Sequence, residues 1–115
     1  MTNRTLAFLV NETGISPARQ EFESLLNSRH QDLTRVLAHL SYVNLLPSGA
    51  VLAQSQQFES LSPTIPTIYW WNSGDVGAFY TQDENNTIVI LFGVSKSSHE
   101  FAHLLNTARE RIINA

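Results

Sequence analysis

The sequence of 115 residues contains no cysteine, and this absence removes several kinds of chemistry at once. Disulfide bonds, thiolate metal sites and cysteine nucleophiles are all excluded. Charged residues are scarce, at 15%, and seven Lys and Arg stand against ten Asp and Glu for a net charge of −3. Because nucleic-acid binding draws most of its affinity from phosphate neutralisation, this balance argues against a strong nonspecific nucleic-acid binder.

Long apolar runs are missing as well. The N-terminal apolar stretch, Leu6 to Val10, is too short for the apolar region of a signal peptide and far too short to cross a bilayer. We therefore expect a cytoplasmic protein with no membrane partner. The apolar fraction of 43% is that of a folded chain. With no repeat and no interdomain linker, residues 1–115 are predicted to form a single domain.

The first half of the chain has the pattern of one strand followed by two helices. Leu6 to Val10 predicts a short buried strand. Ser16-Pro17 is typical of a helix start, with a hydroxyl at the N-cap and proline at the first helical position. A second helix is predicted from about Gln31 to Leu46, where apolar residues recur at three- and four-residue steps. A further helical turn or two is expected between Val51 and Phe58.

The last third of the chain has the pattern of an antiparallel meander followed by a helix. Three apolar runs, Ile68 to Trp71, Val76 to Thr81 and Thr87 to Val94, are separated by turn residues at 72–75 and 82–86. A helical pattern then continues to the C-terminus. The sequence therefore predicts an α+β fold with the order β-α-α-β-β-β-α, in which the last helix covers one face of the sheet.

The predicted last helix begins with His99-Glu100-Phe101-Ala102-His103, which matches the H-E-x-x-H pattern of zinc hydrolases. Ser97 and Glu100, however, have the spacing of a capping box, which explains the glutamate without catalysis. At about 100° per residue, both histidines fall opposite the apolar stripe, which consists of Phe101, Leu104, Leu105, Ala108 and Ile112. We therefore predict no metal and no cofactor, and a zinc-dependent hydrolase using His99 and His103 stays a third hypothesis.

The order of the elements, the stretch Ala78-Phe79-Tyr80-Thr81 and the run from Thr87 to Lys96 resemble the RelE/ParE/HigB toxins of bacterial toxin–antitoxin systems. The phage-derived, HigB-like branch is the most similar. Four residues match the C-terminal helix of that branch: Glu100, Ala108, Arg109 and Arg111. The resemblance covers Thr67 to about Ile112, and Leu6 to Leu46 only as an order of elements. It implies a RelE-like, mainly antiparallel sheet with two N-terminal helices packed together and a C-terminal helix on the meander.

The resemblance implies ribosome-dependent mRNA cleavage, with mRNA on the ribosome as substrate and an antitoxin protein as partner. In such a reaction a base deprotonates the ribose 2′-OH and cations stabilise the phosphorane. Tyr80, Lys96 and His99 become the candidate catalytic residues. A place in the core is an equal alternative for Tyr80, and an exposed strand end is the plainer interpretation of Lys96.

The sequence also departs from the family pattern. The family's strands usually carry arginine where this sequence has Trp71-Asn72 and Gly77-Ala78, and Lys96 stands alone where lysines are often paired. We therefore expect either an mRNA endonuclease that has lost part of its cationic equipment or a catalytically silent relative that binds a protein.

The silent alternative depends on aromatic residues in the meander. Alternation along a strand places Trp70 and Trp71 on opposite faces of the sheet. One is therefore expected in the core and the other on an open face. An exposed tryptophan beside Phe79 or Phe92 would anchor a protein partner. Trp70, Trp71 and Phe79 are the predicted partner-binding residues.

Overall fold

The structure is a computed structural model that describes residues 4–45, 56–58 and 66–115. Its five strands are β1 (Thr5–Phe8), β2 (Gln56–Phe58), β3 (Ile68–Ser73), β4 (Val76–Gln82) and β5 (Asn86–Val94). Its three helices are α1 (Pro17–Ser28), α2 (His30–Val43) and α3 (Ser98–Ile113). The predicted α+β class and the order β-α-α-β-β-β-α are confirmed, with one strand, β2, added between α2 and the meander.

The added strand corrects one prediction. Helical turns were expected between Val51 and Phe58, but Gln56–Phe58 pairs antiparallel with β3. Residues 51–55 lie outside the described residues. The helical expectation fails because a three-residue strand takes its conformation from pairing with a neighbour rather than from its own propensity.

The strands form one mixed sheet in the order β1-β5-β4-β3-β2. β1 runs parallel to β5, and the other neighbours pair antiparallel. A bulge interrupts the pairing of β4 with β5, because Phe79 lies opposite Leu91 whereas Tyr80 lies opposite Val89. The extra residue, Ile90, makes Ile90 and Leu91 face the same side of the sheet.

Helices cover both faces of the sheet in the part of the chain that the structure describes. α1 and α2 lie on one face, here named the two-helix face, whose buried residues are Ala18, Leu33, Val36, Leu40, Val43, Val76, Ala78, Tyr80, Val89 and Phe92. α3 lies on the other, the α3 face, whose buried residues are Ile68, Trp70, Phe79, Ile90, Leu91 and Ala108. The expectation of an open sheet face is therefore wrong.

The junction between α1 and α2 places one charged side chain at an end of the sheet. α1 begins as predicted, with Ser16 Oγ accepting a hydrogen bond from the N–H of Arg19 and proline in the first turn. Arg29 lies between the two helices, where it is both the C-cap of α1 and the N-cap of α2. Its guanidinium points to the turn between β3 and β4, where it meets Asp75.

Candidate functional site

Tyr80, the first candidate catalytic residue, lies in the core. It is 0% exposed, and its ring lies 5.5 Å from that of Tyr69 on the two-helix face. Tyr80 pairs with Val89, whereas Val76 at the start of β4 pairs with Val94 at the end of β5. The five residue steps from Val89 to Val94 span about 17 Å. Because Lys96 follows Val94, the structure does not bring Tyr80 and Lys96 together.

Lys96 lies at an end of the sheet that we name the charged end, formed by Arg29, Asp32, Arg35, Asp75 and Lys96. Its ammonium is 61% exposed by side chain and lies 3.8 Å from Asp75 Oδ2. Arg29 Nη1 donates to both carboxylate oxygens of Asp75 at 2.9 Å. Asp75 thus holds two cations at once.

A second acid completes the charged end. Asp32 accepts a hydrogen bond from Ser73 Oγ at 3.4 Å and pairs with Arg35 at 3.5 Å. Its carboxylate also lies over Gly74, whose φ of +61° favours glycine and where a Cβ atom would meet Asp32 Oδ2 at 2.9 Å. Every cation of the charged end therefore lies within 4 Å of a carboxylate. The two cations that come together, Arg29 and Lys96, do so on the carboxylate of Asp75 rather than on a free site.

The start of α3 uses its glutamate as a helix cap. Ser97 Oγ accepts from the N–H of Glu100 at 3.2 Å, and Glu100 Oε2 accepts from the N–H groups of Lys96 and Ser97 at 2.6 and 3.1 Å. The predicted capping box is confirmed. Glu100 thus satisfies the backbone N–H groups of the two residues that precede α3, which is a structural role.

The two histidines of α3 face solvent. His99 and His103 are exposed, while the predicted apolar stripe packs on the α3 face. The predicted facing of this helix is confirmed. Among residues 4–45, 56–58 and 66–115, no three His, Asp or Glu side chains gather closely enough to hold a metal ion. The described residues therefore supply no third ligand beside His99 and His103.

The three predicted partner-binding aromatics lie in or against the core. Phe79 is 0% exposed and Trp70 is 5% exposed, and both belong to the α3 face. Trp71 is half-buried on the two-helix face, where its ring stacks on His39 at 4.2 Å and an interplanar angle of 6°. The tryptophans do lie on opposite faces, as predicted. The prediction of an exposed anchor is wrong, because each face carries a helix.

The shifted pKa values follow from local structure. Burial lowers the pKa of His39. Burial raises the pKa of the Tyr69 hydroxyl, and the guanidinium of Arg4 partly opposes that shift. Backbone hydrogen bonding, led by the N–H of Asn85, lowers the pKa of Asp83 in the turn between β4 and β5. Each shift has a packing or turn explanation, and none of these groups adjoins Lys96 or His99.

One polar arrangement escaped prediction. Arg111 of α3 donates to both carboxylate oxygens of Glu21 of α1, at 2.8 and 2.7 Å. Arg111 also donates to the carbonyl of Ile90 at 3.0 Å, and Glu21 accepts from the N–H of Phe92 at 3.2 Å. β1 ends opposite Val89, so the ion pair takes the place of a strand along the rest of β5.

The Glu21–Arg111 pair is bordered by two hollows. One, of about 200 Å³, lies between the β1–α1 connection and the end of α3. The other, of about 370 Å³, is an open depression beside α1 and Phe92. No local sequence pattern indicates this arrangement, because the two charged residues are 90 positions apart.

No family model matches the sequence. Neither a curated protein nor a solved structure gives a significant match. None of the helices in the described ranges combines the length and the apolar character that a membrane span needs.

Proposed function

We propose that this chain is a RelE/ParE/HigB-like protein that does not cleave mRNA and that binds a protein partner of the antitoxin kind through a surface other than Trp70, Trp71 and Phe79, which lie in or against the core. The arrangement of the fold supports the first half of the proposal. Two N-terminal helices pack together on a mainly antiparallel sheet, and the C-terminal helix packs on the meander. This is the arrangement that the sequence resemblance implies.

The observation that carries the absence of mRNA cleavage is the position of Tyr80. A catalytic residue must touch the substrate, and a side chain that is 0% exposed in the core has no such contact. The burial of the tyrosine that the resemblance would make catalytic supports a packing role for it in this chain.

The charges support the same conclusion. Stabilising a phosphorane needs cations directed at one point. At the charged end, Arg29 and Lys96 both pair with Asp75, and Arg35 pairs with Asp32. With a net charge of −3 over the whole chain, the protein offers little attraction for RNA.

The first test is an mRNA cleavage assay. The purified chain is added to a translating extract, and mRNA ends are mapped by primer extension. We expect no cleavage by the wild type, and no change with Lys96→Ala or His99→Ala. Cleavage that falls at least about 10-fold in either variant would overturn the proposal.

The second test concerns the partner. The chain is co-expressed with the product of the adjacent reading frame and purified through a tag on the chain. We expect a complex of fixed stoichiometry. If the two proteins do not co-purify, the antitoxin-binding half of the proposal fails, whatever the cleavage assay shows.

A second candidate function is mRNA cleavage by Lys96 and His99 without Tyr80. The specific observation in its favour is that both side chains are exposed and lie three residues apart at the start of α3. In that reaction His99 would take the 2′-OH proton and Lys96 would stabilise the phosphorane. Loss of cleavage in His99→Ala, with the thermal stability unchanged, is the result that distinguishes this function.

A further inference from the structure

The outer edge of β1 carries backbone groups that no described residue satisfies. Thr5 N–H donates to the carbonyl of Asn85 at 2.9 Å, and Leu9 N–H donates to that of Val89 at 2.8 Å. Because successive residues of a strand point their backbone groups to opposite sides, Leu6 and Phe8 point theirs away from β5. Among residues 4–45, 56–58 and 66–115, these groups have no hydrogen-bonding partner.

The residues of β1 carry none of the sequence features that usually protect an edge. Edge strands are commonly blunted by charged side chains, proline or a bulge, since unpaired backbone groups attract another strand. Thr5–Phe8 has the sequence TLAF, with no charge, proline or glycine, and pairs with β5 in an unbroken register. By contrast, Glu21 and Arg111 occupy the neighbouring edge of β5.

Exposed apolar side chains follow the C-terminal end of this edge. Val10 is 48% exposed and comes directly after Leu9. Ile15 is 49% exposed and is held close by, because its carbonyl accepts a hydrogen bond from the N–H of Asn11 at 2.8 Å. Two exposed apolar side chains, Val10 and Ile15, therefore lie near this end of the edge.

Exposed apolar side chains also lie at the N-terminal end of the edge. The N–H of Arg4 donates to the carbonyl of Asn44 at 3.3 Å, which places the end of α2 beside the start of β1. Leu45 follows and is 57% exposed, and Tyr42, in the last turn of α2, is 52% exposed. Both ends of β1 are therefore flanked by apolar surface.

We propose that the outer edge of β1 pairs antiparallel with the same edge of a second copy of this chain, about a twofold axis at Ala7. In that register Leu6 lies opposite Phe8 of the partner copy, and each such pair exchanges both of its backbone hydrogen bonds. Their side chains form an apolar cross-strand pair on the two-helix face. The two sheets become one continuous sheet through the dimer.

The twofold axis explains why both flanks are apolar. Antiparallel pairing centred on Ala7 brings the Val10 end of one copy to the Leu45 end of the other, and the converse contact follows by symmetry. β1 itself carries no charge, so the two copies do not repel each other at the axis. The occupant that matches both flanks and the backbone groups is therefore the chain itself.

The first test measures self-association by sedimentation equilibrium of the full chain, wild type and Leu6→Pro. Because the N–H of Leu6 points outward, proline removes a donor that the β1–β5 ladder does not use, and proline is tolerated at such edge positions. We expect a dimer for the wild type and a dissociation constant raised about 10-fold or more in Leu6→Pro. Leu6→Ala is the matched control: it keeps the N–H and loses only the apolar side chain, so it should raise the dissociation constant less than Leu6→Pro does.

The second test examines the antiparallel orientation of the two copies. It does not depend on Leu6→Pro, so it still tests the proposal should that variant not fold. Val10→Asp places a charge in the proposed contact and should dissociate the dimer. Adding Leu45→Lys in the same chain should restore it, since the two positions meet across the axis. A monomeric wild type at all concentrations up to about 1 mM, or a dimer unaffected by both Leu6→Pro and Val10→Asp, would overturn the inference.

Discussion

The two faces of the sheet differ in how many buried residues their helices supply, because one face carries two helices and the other carries one. On the two-helix face, α2 supplies four buried aliphatic residues: Leu33, Val36, Leu40 and Val43. On the α3 face, the helix supplies one buried residue, Ala108. The strands supply most of the rest of this core, where the rings of Phe58, Trp70, Phe79 and Phe101 contact one another beside Ile68, Ile90 and Leu91.

The difference follows from the widths of the elements. A five-stranded sheet is about 19 Å across, whereas a helix with its side chains is about 10 to 12 Å wide. Two helices cover such a face and one does not. Large rings therefore extend the cover on one side of α3, and on the other side the Glu21–Arg111 pair closes the gap to α1.

The largest effect is expected from removing a ring on the α3 face. Phe79 is 0% exposed and touches the rings of Trp70 and Phe101 at centroid distances of 4.6 and 5.5 Å. We expect Phe79→Ala to lower the free energy of unfolding by about 4 kcal/mol, because truncation leaves a cavity that a single helix cannot fill. Urea denaturation measures this change.

Phe92→Ala on the two-helix face is the matched comparison. Phe92 is 2% exposed, but it lines the open hollow of about 370 Å³ beside α1. We expect a smaller loss, of about 3 kcal/mol, because the vacated space joins that hollow rather than forming a closed cavity. An equal or larger loss in Phe92→Ala would contradict the proposed difference between the faces.

A smaller effect is expected at the edge that the ion pair closes. Arg111→Ala should lower the free energy of unfolding by about 2 kcal/mol, because it leaves Glu21, with a side chain only 28% exposed, without its partner. Arg19, which pairs with Glu23 at 70% and 66% exposure, is the matched control, and Arg19→Ala should change stability by at most about 0.5 kcal/mol. A double-mutant cycle with Glu21→Ala measures the coupling. A coupling energy below about 0.5 kcal/mol would contradict a stabilising role for the Glu21–Arg111 pair at this edge.

Local patterns in the sequence were enough to predict the facing of α3 and the described elements other than β2. The Ser97–Glu100 spacing and the apolar stripe of α3 depend on residues within two turns of one another, so a short window contains all the information. The turn residues that separate the meander strands act over a similarly short range. Predictions of this kind agree with the structure.

To predict that helices cover both faces of the sheet, β4 and β5 had to be interpreted as strands buried on both sides. β4 is buried at six successive positions, Val76 to Thr81, and β5 at six of its nine. Near-continuous apolar runs are typical of strands that are buried on both sides. That signal was present in the sequence, and the expectation of an open face overlooked it.

The polar contacts that define the charged end and the β5 edge could not have been predicted. Arg29 and Asp75 are 46 residues apart, and Glu21 and Arg111 are 90 apart. Such pairs depend on the order of the strands and on which helix lies on which face. A pattern of charges along one helix or strand contains neither.

The smallest effect is expected from protonating His39, whose ring stacks on Trp71 on the two-helix face. Burial lowers its pKa in the folded chain below the ordinary value of 6.5, so the unfolded chain binds this proton more readily. The stability that His39 contributes is therefore fully present above pH 6.5 and is lost as the pH falls toward the lowered pKa. Urea denaturation between pH 8 and pH 5 should show a shallower loss of stability for His39→Gln than for the wild type. His103→Gln, a change on the exposed side of α3, is the control and should follow the wild type. If the unfolding free energy changes with pH equally in all three proteins, protonation of His39 does not lower the stability and the prediction fails.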